Sequence, residues 1–294
     1  MIKHKRSNSC GKSSFTDSGE CGRNKKTEHN MNRSLVIIYN LLLMFGIDPL
    51  KTISFMRGLP FYLRDLSILK SQKESAVREF PFGNPYPCLE DRFGESGTAK
   101  GHYFHQDLLI ARRIHLNNPI THVDVGSSLE GFVAHVASFR PIEVFDVRPL
   151  SVSIPNIRFI QADLMTPVCD NLIDYCDSLS CLHALEHFGL GRYGDPVIYD
   201  GYVLGLTNFH RILKKGGKIY ISVPIGPQRI EFNAHRVFSV GYLLECFEDK
   251  YHIDHFSFVD DHGDLHENSP ITQSDVKHDY GCVYGCGIFE MTKL

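Results

Sequence analysis

The stretch Thr121-His122-Val123-Asp124-Val125-Gly126-Ser127-Ser128-Leu129-Glu130-Gly131-Phe132 decides the fold of this chain. Val123 and Val125 are β-branched and suit a buried strand, which closes around an acidic residue, Asp124. Gly126 and Gly131 allow a tight turn and a close approach of backbone to ligand, so the strand turns through small residues into a helix beginning near Glu130. Such turns lie at the carboxyl edge of a parallel sheet, where a ligand meets backbone N–H groups and a helix N-terminus.

From Pro119 onward, apolar strand-like runs alternate with helical ones. This pattern predicts a parallel sheet with helices on both faces. Strands are expected over residues 121–125, 142–147, 157–161, 178–182 and 218–223, and two more over 256–260 and 283–292. A carboxylate at position 124 repels a pyrophosphate but suits a ligand carrying ammonium and sulfonium charge, and S-adenosylmethionine (SAM) is such a ligand.

At these residues the chain resembles the class I SAM-dependent methyltransferases. Their first motif runs acidic residue, any residue, then glycines; here Ser128 and Glu130 stand at two of the glycine positions, with Gly131 one place late. Asp146 ends the second strand 22 residues after Asp124, where a carboxylate can accept both ribose hydroxyl protons. Ala162-Asp163-Leu164 resembles the family's adenine-binding element. The run Phe209 to Pro224, with Leu213-Lys214-Lys215-Gly216-Gly217 at its centre, resembles the helix end and sharp reversal before the family's fifth strand. In that reading Gly216 and Gly217 permit a left-handed helix stop, and Lys214 and Lys215 favour the negative end of the helix dipole.

The resemblance covers residues 101–294. It implies a Rossmann-like α/β fold, a mostly parallel seven-stranded sheet whose last strand is reversed. It implies SAM as cofactor, held by Asp124, Gly126, Ser127, Ser128, Gly131, Asp146, Val147, Asp163, Leu164, Leu182 and Gln106. Gln106 comes with Tyr103 and His105 from a helix expected to run to about Leu116, with Leu108, Leu109, Ile110 and Ile114 facing the core. Within the superfamily the chain looks most like a methyltransferase-like group associated with bacterial surface polysaccharide synthesis.

The chemistry is expected after the fourth strand, at His183-Ala184-Leu185-Glu186-His187. Methyl transfer is an in-line displacement, so catalysis consists of placing the acceptor on the axis of the departing sulfur. A hydroxyl acceptor must also lose its proton, which a histidine can take near neutral pH. His187 or His183 is the expected base, with Glu186 orienting an imidazole or a sugar hydroxyl. His235 and Arg236, in the loop after the fifth strand, are candidates for holding the acceptor.

Two other readings stay open. One is a non-catalytic module of the same fold. The other is a zinc metallohydrolase, since His183-x-x-Glu186-His187 matches an inverted zinc-peptidase motif, which needs one continuous helix. Cys282 and Cys286, with His278 near them, lack a full ligand pattern, and no metal set is assigned.

Composition bounds these readings. Residues 1–33 hold eight Lys/Arg against three Asp/Glu, a net +5 that leaves −8 on the remainder. An acidic body argues against a nucleic-acid surface. Nine scattered cysteines without a C-x-x-C pair fit reduced thiols in the cytoplasm. The first 32 residues have almost no aliphatic side chains and read as a disordered polar leader, a start-site extension or a basic arm.

Residues 33–100 read as a helical extension followed by an ordered loop over 80–100 that covers the active site. Leu35 to Ile47 is apolar but too short to span a bilayer. Asp48-Pro49 starts a second helix, Gly58-Leu59-Pro60 breaks it, and a third amphipathic helix covers 61–75. This region either packs as a cap or lies over residues 35–75 on the cytoplasmic membrane face to meet a lipid-linked glycan acceptor. The His-rich run 252–266 reads as a solvated loop.

Overall fold

The computed structural model describes residues 33–78, 80–94, 97 and 99–294, so the expected polar leader lies outside the described residues. The chain divides into two compact units between Thr98 and Ala99.

The larger unit is built on ten strands: β1 (His122–Val125), β2 (Ile142–Asp146), β3 (Ile157–Gln161), β4 (Cys176–Leu182), β5 (Leu213–Ile225), β6 (Arg229–Glu231), β7 (His235–Val237), β8 (Tyr251–Val259), β9 (Leu265–His266) and β10 (Gly285–Lys293). Eight of them form one sheet in the order β3-β2-β1-β4-β5-β10-β8-β9. The first five are mutually parallel, and β10 runs antiparallel to both β5 and β8. The reversed strand of the sequence reading is therefore present, but the sheet has eight strands and not seven. The eighth is two residues long and pairs with the end of β8 through Phe258 and Val259. It turns the expected solvated loop over 252–266 into a hairpin, with the Asp260 carboxylate accepting from the N–H groups of His262 and Asp264.

Strand periodicity places side chains alternately on two apolar layers. Val123, Val125, Leu179, Cys181, Ile219 and Ile221 face one layer. Val144, Leu182, Tyr220 and Ile288 face the other. Helices α5 (Gly201–Ile212) and α6 (Val240–Phe247) cover the first through Phe209, Ile212, Leu243 and Phe247. Helices α3 (His102–Asn117) and α4 (Ala134–Ala137) cover the second through Leu109, Ile110, Ile114 and Val136. A short helix α7 (Gln273–Lys277) precedes β10. Each fully buried aliphatic or aromatic side chain contributes roughly 1.5–3 kcal/mol. Leu108, expected in the core, is 52% exposed, because helical spacing turns it away from Leu109 and Ile110.

Two turns differ from expectation. The helix near Glu130 starts as a π-type turn over Leu129–Val133 before α4 begins. The Gly-Gly reversal is not a helix stop: α5 ends at Ile212, and Leu213 is already extended against Cys176. The register then slips before Ser178 pairs with Lys218, and Gly216, at φ +76°, lies in the bulge between. Glycine serves that left-handed position, but inside the strand.

The smaller unit holds α1 (Arg33–Met44) and α2 (Pro49–Lys73). Asp48 caps α2, its Oδ1 accepting from the N–H groups of Leu50 and Lys51. The expected break at Gly58-Leu59-Pro60 is absent, and α2 passes through Pro60 unbroken. Gly58 is there for closeness: a Cβ on it would lie 2.1 Å from the Leu89 carbonyl oxygen. Arg57 stacks on Phe93 and Arg92 on Phe61, tying the following loop to this helix. Among the described residues, no helix is long and apolar enough to cross a membrane.

Candidate active site

At the carboxyl edge of the parallel strands a cleft is lined by Gly126 after β1, Asp146, Val147 and Arg148 at the end of β2, Asp163, Leu164 and Met165 after β3, and His183 and His187 after β4. Seven of these nine, all but Arg148 and Met165, are site residues expected from the sequence. Leu164 and Val147 supply apolar surface to the cleft, Asp146 and Asp163 carboxylates, and His183 and His187 imidazoles.

Asp124 stays beneath this surface. It is fully buried, and its carboxylate accepts from Ser127 N–H (3.1 Å), Ser127 Oγ (2.7 Å) and Ser180 Oγ (2.6 Å). Burial pushes its pKa up to about 6 against these hydrogen bonds. His122 extends the network, its Nε2 lying 3.1 Å from Ser180 Oγ and its Nδ1 2.8 Å from Ser178 Oγ. Since the Ser180 proton goes to Asp124, His122 Nε2 is the donor to Ser180. Burial lowers the pKa of this histidine to about 3, so the imidazole is neutral. Asp124 thus shapes the turn from below. Ser127, bonded to it and to the Leu182 N–H, is equally buried.

Others of the expected cofactor residues also lie off the cleft wall. Ser128 is exposed, Leu182 packs into the layer under α3, and Gly131 abuts Asp107, whose Oδ2 would be 2.4 Å from a Cβ there. Gln106 is buried, accepting from Ser222 Oγ at 2.5 Å and donating to Asp107 Oδ1 at 3.2 Å. Its place at the start of the second turn of α3 gives it a scaffolding contact with Ser222 of β5. Asp107 had no role in the sequence reading; burial raises its pKa to about 6 as well.

Of the three strand-end aspartates, Asp146 and Asp163 are the accessible ones. Arg148 grips Asp146 with Nε on Oδ1 (3.0 Å) and a terminal nitrogen on Oδ2 (2.6 Å), and its guanidinium lies 4.5 Å from the Tyr193 ring centre. Asp163 Oδ1 accepts from Met165 N–H at 2.8 Å, which leaves its other oxygen for the cleft. Tyr193 and Asp195 close the rim. They sit in a loop shaped by Gly189, Gly191 and Gly194, all at positive φ, whose N–H groups at 189, 191 and 193 donate to Asp195. That glycine spacing is the signal in the sequence for this rim, which the expected site residues do not include.

Glu186 lies between the two histidines. Its Oε1 is 2.7 Å from His183 Nδ1 and 3.7 Å from His187 Nε2. His187 Nδ1 donates to the Ala234 carbonyl at 2.7 Å, so the neutral ring keeps its lone pair on Nε2. Burial lowers the His187 pKa, against the pull of Glu186. Burial also opposes charge on His183, but Cys286 and Glu186 outweigh it and hold its pKa well above the ordinary value.

The motif His183-x-x-Glu186-His187 is not a zinc-peptidase helix: His183 sits at φ +51° just past β4, and Leu185–His187 is a single 3-10 turn. His235, on β7, is outside the cleft, 3.0 Å from Glu231 and against the Tyr284 ring. Arg236 is buried and donates to the carbonyls of Glu186, Phe188 and Tyr199, which makes it a brace for the histidine turn.

A family model described as "Caenorhabditis protein of unknown function, DUF268" matches residues 160–276, less than half of the chain. Comparison with curated proteins gives no match. Among solved structures, the chain is similar to the [4+2]-cyclase SpnF, with 14% identity over 64% of this chain and 80% of that one, at a TM-score of 0.47. It is also similar to the 1,6-didemethyltoxoflavin-N1-methyltransferase of Burkholderia thailandensis, with 16% identity over 64% and 78% at a TM-score of 0.46. A third is the N-methyltransferase NodS of Bradyrhizobium japonicum WM9, with 11% identity over 66% and 88% at a TM-score of 0.42. At these identities and scores none of the likenesses carries a function to this chain.

Proposed function

We propose that the chain is a SAM-dependent methyltransferase whose acceptor is a hydroxyl of a sugar or glycan intermediate in surface polysaccharide synthesis. The observation that carries this reading is one cleft holding Asp146, Asp163 and a neutral His187 at the carboxyl edge of a sheet with a reversed β10. The residues fit the cofactor: Asp146 suits two ribose hydroxyls, Asp163 suits an exocyclic amine, and Leu164 suits the face of an adenine ring. Bound there, SAM supplies an electrophilic methyl carbon on a positively charged sulfur.

The remaining chemistry belongs to the chain. His187 accepts the acceptor's hydroxyl proton at Nε2, and Glu186, 3.7 Å away, stabilises the imidazolium that results. The Ala234 carbonyl fixes the tautomer through Nδ1. Tyr193 and Asp195 at the rim offer a ring face and a carboxylate to a sugar. A lipid-linked acceptor fits the exposed apolar side chains of the smaller unit, among them Ile53, Met56, Leu63 and Ile68, as a peripheral contact with the cytoplasmic membrane face.

Calorimetry with S-adenosylhomocysteine tests the first half of the reading, and one-to-one binding is expected. Absence of binding to the wild-type protein sinks it. Labelled SAM with candidate glycans tests the second half. The grip of Arg148 on Asp146 favours a second reading, a non-catalytic module, and binding without any product across hydroxyl acceptors would select it.

A further inference from the structure

Next to the proposed base, and outside the chemistry assigned to it, lies a second constellation. Among the described residues, one group of His, Cys, Asp or Glu side chains brings three donor atoms within 4.8 Å of one another: His102, His183 and Cys286. They come from three distant parts of the chain, the first residue of α3, the turn after β4 and the second residue of β10. His183 and Cys286 are buried and His102 is half-buried.

A second observation points to a ligand there. His183 Nδ1 is engaged by Glu186, while its buried Nε2 makes no hydrogen bond of ordinary geometry among the described residues and has the Cys286 sulfur as its interacting neighbour. A buried ring nitrogen without a well-formed hydrogen bond costs about 1–3 kcal/mol, so its neighbours should supply something to meet it. What lies near is a cysteine sulfur and another imidazole. The His102 ring stacks on that of His183 at 5.1 Å, and Tyr284 stacks on His102 at 5.4 Å.

A bare cysteine–histidine pair would suggest a nucleophile, but Cys286 is completely buried and its sulfur is closed to a substrate carbon. An ion needs no such access route for a large group. Two imidazoles and a thiolate suit a borderline-soft divalent metal, for which such donors stand about 2.0–2.3 Å from the ion. Glu186 on His183 Nδ1 then takes the part of the outer carboxylate that orients a metal-bound histidine.

We propose that His102, His183 and Cys286 form a site for a divalent metal ion of the zinc class. Binding displaces one proton from Cys286 Sγ, and one from His183 Nε2 where that ring is charged. Three protein donors leave a fourth position of a tetrahedral ion for water or an oxygen ligand. Because His183 also lines the cleft, the site adjoins the proposed acceptor region. The metal assignment does not depend on the methyltransferase reading.

The test uses the full-length protein titrated with Co2+ as an optical probe, followed by competition with Zn2+. One ion per chain, tetrahedral ligand-field bands and a thiolate-to-cobalt charge-transfer band are expected. Cys286→Ser abolishes the charge-transfer band, while Cys282→Ser, four residues away, keeps it. Glu186→Gln weakens binding about ten- to a hundredfold, the usual effect of losing an outer-sphere carboxylate, and His102→Ala weakens it at least as much. A wild-type protein that binds no stoichiometric Co2+, or binds it without the thiolate band, overturns the proposal. So does a band that survives Cys286→Ser. Should Cys286→Ser fail to fold, the His102→Ala titration decides, and unchanged affinity overturns it.

Discussion

The carboxyl edge of the sheet has two halves with different chemistry. Over β1 to β3 every strand ends near an aspartate: Asp124, Asp146 and Asp163. Over β4, β5 and β10 the groups are His183, Glu186, His187 and Cys286, with His102 reaching in from α3. The carboxylate half is built from neighbours in sequence, each acid held by backbone or side chains within three residues, apart from the bond from Ser180 to Asp124. The imidazole half joins one local turn, His183 to His187, to His102 and Cys286, which lie 81 residues before and 103 residues after His183. In the proposed function the first half holds a cofactor and the second moves a proton, so variants in the two should fail in different ways.

The strongest attempt to break this division is His187→Ala. It removes the base and leaves the carboxylate half intact. Turnover should fall about 10²–10⁴-fold while S-adenosylhomocysteine affinity stays within about twofold, measured by labelled methyl transfer and calorimetry. Equal losses in both would show that the halves are not separate.

Next in size is Asp124→Ala, read by urea unfolding. Three donors lose a buried acceptor, for a cost of about 3 kcal/mol. The same residue gives a pH signature. Its pKa is raised from 3.8 to about 6 on folding, so the protonated form is favoured in the native state. The stability this contributes is full below the unfolded value and is lost as pH rises through about 6. Asp124→Asn should flatten that decline, and Asp107, also raised to about 6, should retain part of it.

The division also explains what the sequence could reveal. Asp146 and Asp163 were legible because strand ends follow from period-two apolar runs, and a ligand-facing acid lies one or two residues beyond. Asp124 was legible as a position but not as an environment. Its burial depends on Ser180, 56 residues away on a strand whose pairing partner is fixed only by the sheet order.

His102 and Cys286 carried even less signal. Their approach depends on β10 entering antiparallel beside β5, and that pairing has no local mark. Gly58-Leu59-Pro60 misled for a related reason: Gly58 answers to the Leu89 carbonyl and not to its own helix. Glycine and proline report a local preference, and tertiary contact overrode it.

The smaller effects sharpen the carboxylate half itself. Asp146→Ala removes the acceptor proposed for the ribose hydroxyls, and hydrogen bonds to a charged group are worth about 1.5–3 kcal/mol, so affinity for S-adenosylhomocysteine should drop at least tenfold. Stability should move little, because among the described residues Asp146 loses a surface ion pair with half-exposed Arg148 and an exposed hydrogen bond from the Arg148 N–H.

Arg148→Ala should act in the opposite direction. In the free protein both oxygens of Asp146 are held by Arg148, and ribose has to displace that grip. The Arg148 side chain is 49% exposed, so solvent screens the pair and its loss is worth about 0.2–1 kcal/mol. Removing it should therefore raise affinity by up to about fivefold by calorimetry. The gain should vanish in the Asp146→Ala background, because the arginine then has nothing to withhold. If Arg148→Ala instead weakens binding in both backgrounds, the guanidinium touches the ligand directly, and Tyr193, over which it is stacked, belongs to the cofactor side of the cleft and not to the acceptor side.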